Sequence, residues 1–197
     1  VIRAARRADM PVLYSQGFHP SPRLSFGPPL NVGAGGLNEY FDAEIKHLSD
    51  PLKLKDELNS RLPKGINIEG LKLIPDGEAS LDSFISRYEY EIICRDAFVV
   101  EGFLEKDELF VGRITAKGMA IKVDIRKMVE EASMIDSSKV RLIVTDKESG
   151  KVRLGELLPS IFQAPAEELN ITRLSMYGWR GVWLTPMEDL AMQNTAC

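Results

Sequence analysis

The chain has 197 residues, of which 44% are hydrophobic and 27% charged, and a net charge of −4; this is the make-up of a folded globular protein rather than a disordered or fibrous one. Its two cysteines, Cys94 and Cys197, are too few and too far apart for a disulfide framework or a clustered thiolate metal site. No run approaches the roughly 20 apolar residues that a bilayer-crossing helix needs, and no signal-peptide pattern opens the chain, so the expected location is the cytoplasm with no membrane partner.

The chain opens on Val1-Ile-Arg-Ala-Ala-Arg-Arg-Ala-Asp9, already helical in character, with Ile2, Ala5 and Ala8 available to one face and the arginines to the other. Without an initiator methionine or a capping residue before it, this start leads us to expect further residues upstream. Met10-Pro11 stops the helix, because proline lacks an amide donor and disfavours helix in the residue before it. A short strand is predicted over 11–16, then a turn-rich stretch through Gly36 that contains a strand over 23–26. Between residues 39 and 46 Phe41, Ala43 and Ile45 alternate with Asp42, Glu44 and Lys46, the pattern of a half-buried strand.

Asp50-Pro51 reads as an N-cap with proline at the first helical position, and Leu54, Leu58 and Leu62 give that helix its apolar stripe. A strand is expected over 66–74, and the polar run 75–82 marks a domain boundary. Beyond it the pattern predicts a strand over 86–95, a helix over 97–105 and a hairpin of 108–116 with 119–126. A short helical connection, a strand over 139–145, a helix over 151–162 and a strand over 170–177 complete the series. The fold class is therefore α+β, read as two tandem ferredoxin-like split βαβ units with antiparallel sheets, the first lacking its N-terminal strand. The expected domains are 1–76 and 83–180, with 181–197 as a tail that ends in a short helix or a mobile end.

Charge is unevenly spread. Residues 1–30 hold four arginines against Asp9, a net +3, which leaves −7 on the rest of the chain. Arg3, Arg6 and Arg7 occupy about one and a half turns of helix, and arginine is the better bidentate ligand for phosphate. Next to them Tyr14-Ser-Gln-Gly-Phe-His-Pro-Ser-Pro-Arg23 brings rings, hydrogen-bonding side chains and a guanidinium into backbone stiffened by proline. Arg3, Arg6, Arg7, Tyr14, Gln16, Phe18, His19 and Arg23 are accordingly the candidate RNA-binding residues.

Other motifs carry less. Gly33-Ala-Gly-Gly36 is read as a turn, since no Lys-Ser or Lys-Thr follows it. Asp42 and Glu44 share a strand face and are weighed as paired carboxylates, and His19 with Tyr14 or Asp42 as the centre of an RNA-modifying or RNA-processing enzyme. No HExxH, CxxC or GxSxG spacing is present. Trp179 and Trp183 are read either as a partner-facing pair or as part of a final strand.

Arg3-Ala-Ala-Arg-Arg-Ala8, Pro11, Tyr14-Ser-Gln-Gly-Phe-His-Pro20, Pro22-Arg23, Ser25-Phe-Gly-Pro28 and Glu39-Tyr40 with Asp42 together resemble the hallmark of the radical SAM-linked protein family. That family is a bacterial domain of unknown function found beside, or fused to, B12-binding-type radical SAM proteins. The resemblance is dense over residues 3–46, and beyond them follows only the order of elements. It implies a strand and the start of the first helix before Val1, and a radical SAM partner, separate or fused. That partner would carry an iron–sulfur cluster and S-adenosylmethionine, because a chain with two distant cysteines lacks the three clustered ones such a cluster requires. No cofactor is expected in this chain, and the resemblance supplies no catalytic residues to carry over, so the catalytic residues are left unassigned. The function expected is that of an accessory RNA-binding domain serving tRNA or rRNA modification, with a purely protein-binding module as a further alternative.

Overall fold

The computed structural model describes the chain except for residues 49, 76, 98, 116, 147–149 and 196–197, and describes 193–195 by backbone alone. Cys197 and parts of the predicted linker, helix and hairpin at 76, 98 and 116 lie outside the described residues. Along the chain run α1 (Ile2–Arg7), β1 (Leu24–Phe26), β2 (Gly35–Gly36), β3 (Phe41–Ala43), α2 (Pro51–Arg61), α3 (Leu81–Phe84), β4 (Ile85–Ile93), α4 (Val99–Leu104), β5 (Phe110–Ile114) and β6 (Ala120–Asp124). They are followed by β7 (Val129–Asp136), β8 (Lys139–Thr145), α5 (Leu154–Phe162), β9 (Asn170–Trp179), β10 (Trp183–Leu184) and α6 (Pro186–Thr195). This is a mixed α+β architecture in two compact units, one made of residues 1–27, 40–83 and 186–197, the other of 28–39 and 84–185.

In the first unit α1 packs on α2. The core gathers Ala5, Met10, Leu54, Leu58 and Ile68, with Phe41, Ala43, Ile45, Leu62 and Leu71 against it. The alternation predicted for 39–46 thus places its apolar members inward as expected, although ladder pairing is confined to Phe41–Ala43 opposite Leu24–Phe26 and a bridge from Ile45 to Val12. The Asp50 side chain accepts the Lys53 amide at 3.0 Å and starts α2, as its sequence foretold. Two expectations change. Ala4 joins Ala5 on the buried side of α1 while Ile2 stays exposed, because small residues let this short helix approach α2 closely. The segment 66–74 is not a strand. The Asn59 carboxamide accepts the Ile68 amide at 2.7 Å and donates to the Ile68 carbonyl at 3.1 Å, doing for one residue what a neighbouring strand would do for several.

The sheet of the second unit runs β10-β9-β4-β8-β7, antiparallel throughout along that path, and β2 adds to β9 in parallel. The expectation of purely antiparallel sheets therefore fails at β2, and Gly33–Gly36 is not only a turn. Tyr88, Tyr90 and Ile92 stand opposite Val144, Leu142 and Val140, all buried. Leu154, Leu157, Leu158, Ile161 and Phe162 of α5 and Val100 and Phe103 of α4 are buried with them, and α4 lies against α5 and β7. The connection predicted as helical before β8 is the edge strand β7, whose ladder with β8 slips at two points. Its Glu130, Glu131, Ala132 and Met134 favour helix, and the slips break the period-two signal that would have identified it. The predicted hairpin is β5–β6, and Trp183 of the final pair falls on β10 as a strand.

Candidate functional site

Arg3 and Arg7 lie four residues apart on one face of α1 and border a cleft of about 610 Å³ in the first unit, whose other cationic wall is Arg61 at the end of α2. Ile2, Phe26, Leu62 and Pro63 line the cleft with apolar surface, and among the described residues no acidic side chain lines it. Among the described residues none of the three arginines meets a carboxylate. Arg61 escaped the sequence reading. Its position in the last turn of a helix was visible, but that α2 would pack on α1 and bring it to Arg3 and Arg7 was not. Arg6 is exposed outside the cleft lining.

The Tyr14–Leu30 stretch begins as a tight hairpin. Leu13 and Arg23 pair through the Arg23 amide at 2.8 Å, Tyr14 bridges Pro22, and the Ser15 amide donates to the Ser21 carbonyl at 2.9 Å. The Ser21 amide in turn donates to Ser15 Oγ at 3.1 Å, and the two hydroxyls lie 3.3 Å apart. Gly17 adopts φ +131°, which side-chain-bearing residues rarely do. Gln16, Gly17, Phe18, His19 and Pro20 form the exposed tip, and Phe18 is 102% exposed. Tyr14 is exposed on the hairpin stem.

Arg23 is drawn to Glu44 at 2.7 Å, which takes up both an expected RNA ligand and one of the two weighed carboxylates. Asp42, half-buried, has its carboxyl pushed above the usual range by desolvation. The hallmark residues thus divide. Those up to Gly27 build the cleft and the hairpin. Pro28 and Glu39, in the second unit, instead hold Arg173, buried in β9 with 2% exposure. The Arg173 guanidinium donates through Nε to Glu39 at 2.9 Å and through Nη2 to Glu39 and to the Pro28 carbonyl.

The sheet of the second unit is more balanced. On one face Arg87 meets Glu130, Arg141 meets Glu89 and Glu131, and Lys139 meets Glu91, all within 3.3 Å. Trp179 and Trp183 meet edge to face at 5.1 Å, with Arg87 over the Trp183 ring.

Among the described residues no cluster of three or more His, Cys, Asp or Glu side chains is placed to hold a metal ion, and no helix is long and apolar enough to cross a membrane. No curated protein and no solved structure matches the chain. A family model does match, over residues 1–154, and the chain belongs to that family, described as "Uncharacterized protein conserved in bacteria (DUF2344)".

Proposed function

We propose that the protein is an accessory RNA-binding domain whose first unit grips phosphate, and that it serves a radical SAM enzyme in tRNA or rRNA modification. The observation that carries the RNA reading is the cleft of Arg3, Arg7 and Arg61 over an apolar floor, with no acid in its lining among the described residues. Three guanidiniums left without carboxylates repel one another, and an anion with several oxygens in reach relieves that repulsion through charge-assisted hydrogen bonds. RNA phosphates supply such anions, and Phe26 in the same cleft offers apolar surface to a sugar or base. The partner rests on the resemblance of residues 3–46 to radical SAM-linked proteins, and the partner rather than this chain would hold the iron–sulfur cluster and S-adenosylmethionine.

The ferredoxin-like reading of the second unit is supported by its strand order β9-β4-β8-β7 with α4 after β4 and α5 after β8, the split βαβ arrangement, here interrupted by the β5–β6 hairpin. The first unit is read as its shorter counterpart.

Binding of the full chain to bulk tRNA, titrated across salt concentrations, tests the proposal. Affinity should fall steeply with salt. Arg3→Ala, Arg7→Ala and Arg61→Ala should each weaken binding severalfold and flatten the log–log salt slope by roughly 0.7 to 1. RNA ignored at low salt, or bound with indifference to all three substitutions, would overturn it.

A further inference from the structure

A phenylalanine ring left wholly in water needs a reason, because the usual fate of an aromatic side chain is burial. Phe18 is held out by its surroundings. The Ser15–Ser21 closure joins the two stems through both backbone and hydroxyl groups, Pro20 restricts the backbone, and Gly17 takes the turn. With 102% exposure, both faces of the ring are open. A tip already fixed in one conformation loses little entropy when it binds.

The chemistry around the ring narrows what it meets. A protein-docking patch needs contiguous apolar surface of a few hundred Å². Phe18 instead sits among Gln16, Gly17, His19 and Pro20, one flat apolar face with a carboxamide and an imidazole beside it. An unpaired nucleobase has the complementary form, a flat face that stacks and polar edges that exchange hydrogen bonds.

We infer that Phe18 is a stacking platform for an unpaired base, with Gln16 and His19 at the base's edge, so that the RNA recognised carries a single-stranded or everted nucleotide. This rests on the RNA reading above and adds the kind of RNA. Duplex RNA, whose bases are stacked on their neighbours, offers the ring nothing, whereas the cleft arginines bind the phosphates of either form.

The test uses the full chain with a short single-stranded RNA carrying one 2-aminopurine, and the same strand annealed to its complement. The single strand should bind more tightly than the duplex, and its fluorescence should change on binding as the base stacks. Phe18→Ala should lower single-strand affinity roughly 5- to 100-fold and abolish the fluorescence change, leaving duplex binding and the salt slope as they were. Phe18→Trp should restore both. Because the ring touches nothing in the fold, thermal unfolding of Phe18→Ala should match that of the parent, which separates lost stacking from lost structure. Tight, salt-dependent RNA binding that Phe18→Ala leaves unchanged would overturn the stacking role and spare the RNA reading. Absence of any RNA binding at low salt would overturn both. Unchanged RNA binding with loss of a complex with a radical SAM protein would make the tip a protein contact and overturn the inference.

Discussion

Arg173 shows how a charge is kept inside a sheet. Desolvating a guanidinium is unfavourable unless its donors are answered, and Glu39 with the carbonyls of Pro28 and Pro29 answers them. Tyr90 is buried beside it, and that burial raises the phenol's pKa. Gly36 makes room for this arrangement, since a Cβ there would come within 2.5 Å of Glu39 Oε1. Glu39→Ala leaves the charge partly unanswered. Removing one partner of a buried pair typically costs about 3–5 kcal/mol, but the Glu39 side chain is 41% exposed and the proline carbonyls remain, so about 2–3 kcal/mol is expected. A fall in melting temperature of roughly 5–10 °C by calorimetry would bear this out, and an unchanged melting temperature would show that water answers Arg173 equally well.

At the scale of elements, close approach sets one point of the second unit. Gly178 of β9 faces Phe84, and a Cβ there would meet three ring carbons at 2.5–2.6 Å. Gly178→Ala should therefore cost about 1–3 kcal/mol in urea unfolding, and the same change in a Phe84→Ala background should cost at least 1 kcal/mol less, a coupling that exposes the contact. Equal costs in both backgrounds would mean that the ring moves aside freely.

Elements with local causes were the ones legible from sequence. The Asp50-Pro51 start of α2 is written in two adjacent residues, and the inward set Phe41, Ala43 and Ile45 in a simple alternation. β7 was not legible, because its register is set by slippage against β8 and its residues prefer helix when considered alone. Segment 66–74 failed for the opposite reason. Its apolar residues suggest a strand, yet Asn59, nine residues earlier on α2, satisfies Ile68 by its side chain. The cleft was half-legible: Arg3 and Arg7 stand together in sequence, but Arg61 joins them only through the packing of α1 on α2. Phe18 was visible as an aromatic in a stiff loop, while the serine pair that fixes it outward depends on a backbone register that no local pattern specifies.

Over the whole molecule, charge of both signs is unevenly paired. The +3 segment 1–30 contributes Arg3 and Arg7, unpaired among the described residues, whereas the cations on one face of the second unit's sheet are each matched by glutamates. Salt bridges of this kind neutralise a surface more than they stabilise it. Lys139→Ala together with Arg141→Ala should consequently leave RNA affinity and its salt slope unchanged in the titration that Arg61→Ala alters. A drop comparable to that of Arg61→Ala would move the binding surface to the sheet.

The first unit is assembled from three stretches of chain, and α6 belongs to it: Lys72 donates to the Met187 carbonyl at 2.7 Å, although the two residues are separated by nearly all of the second unit. In synthesis the arginine helix and the hairpin emerge before residues 84–185, and the α6 stretch of their unit emerges only after them. The interval in which Lys72 waits for Met187 is as long as the translation of residues 84–185. The second unit, by contrast, has its 28–39 strap already made by the time its other strands emerge. Synthesis order therefore favours closing the sheet unit first and leaves the first unit open to late assembly, a sequence of events that pulse-labelled protease protection would follow directly.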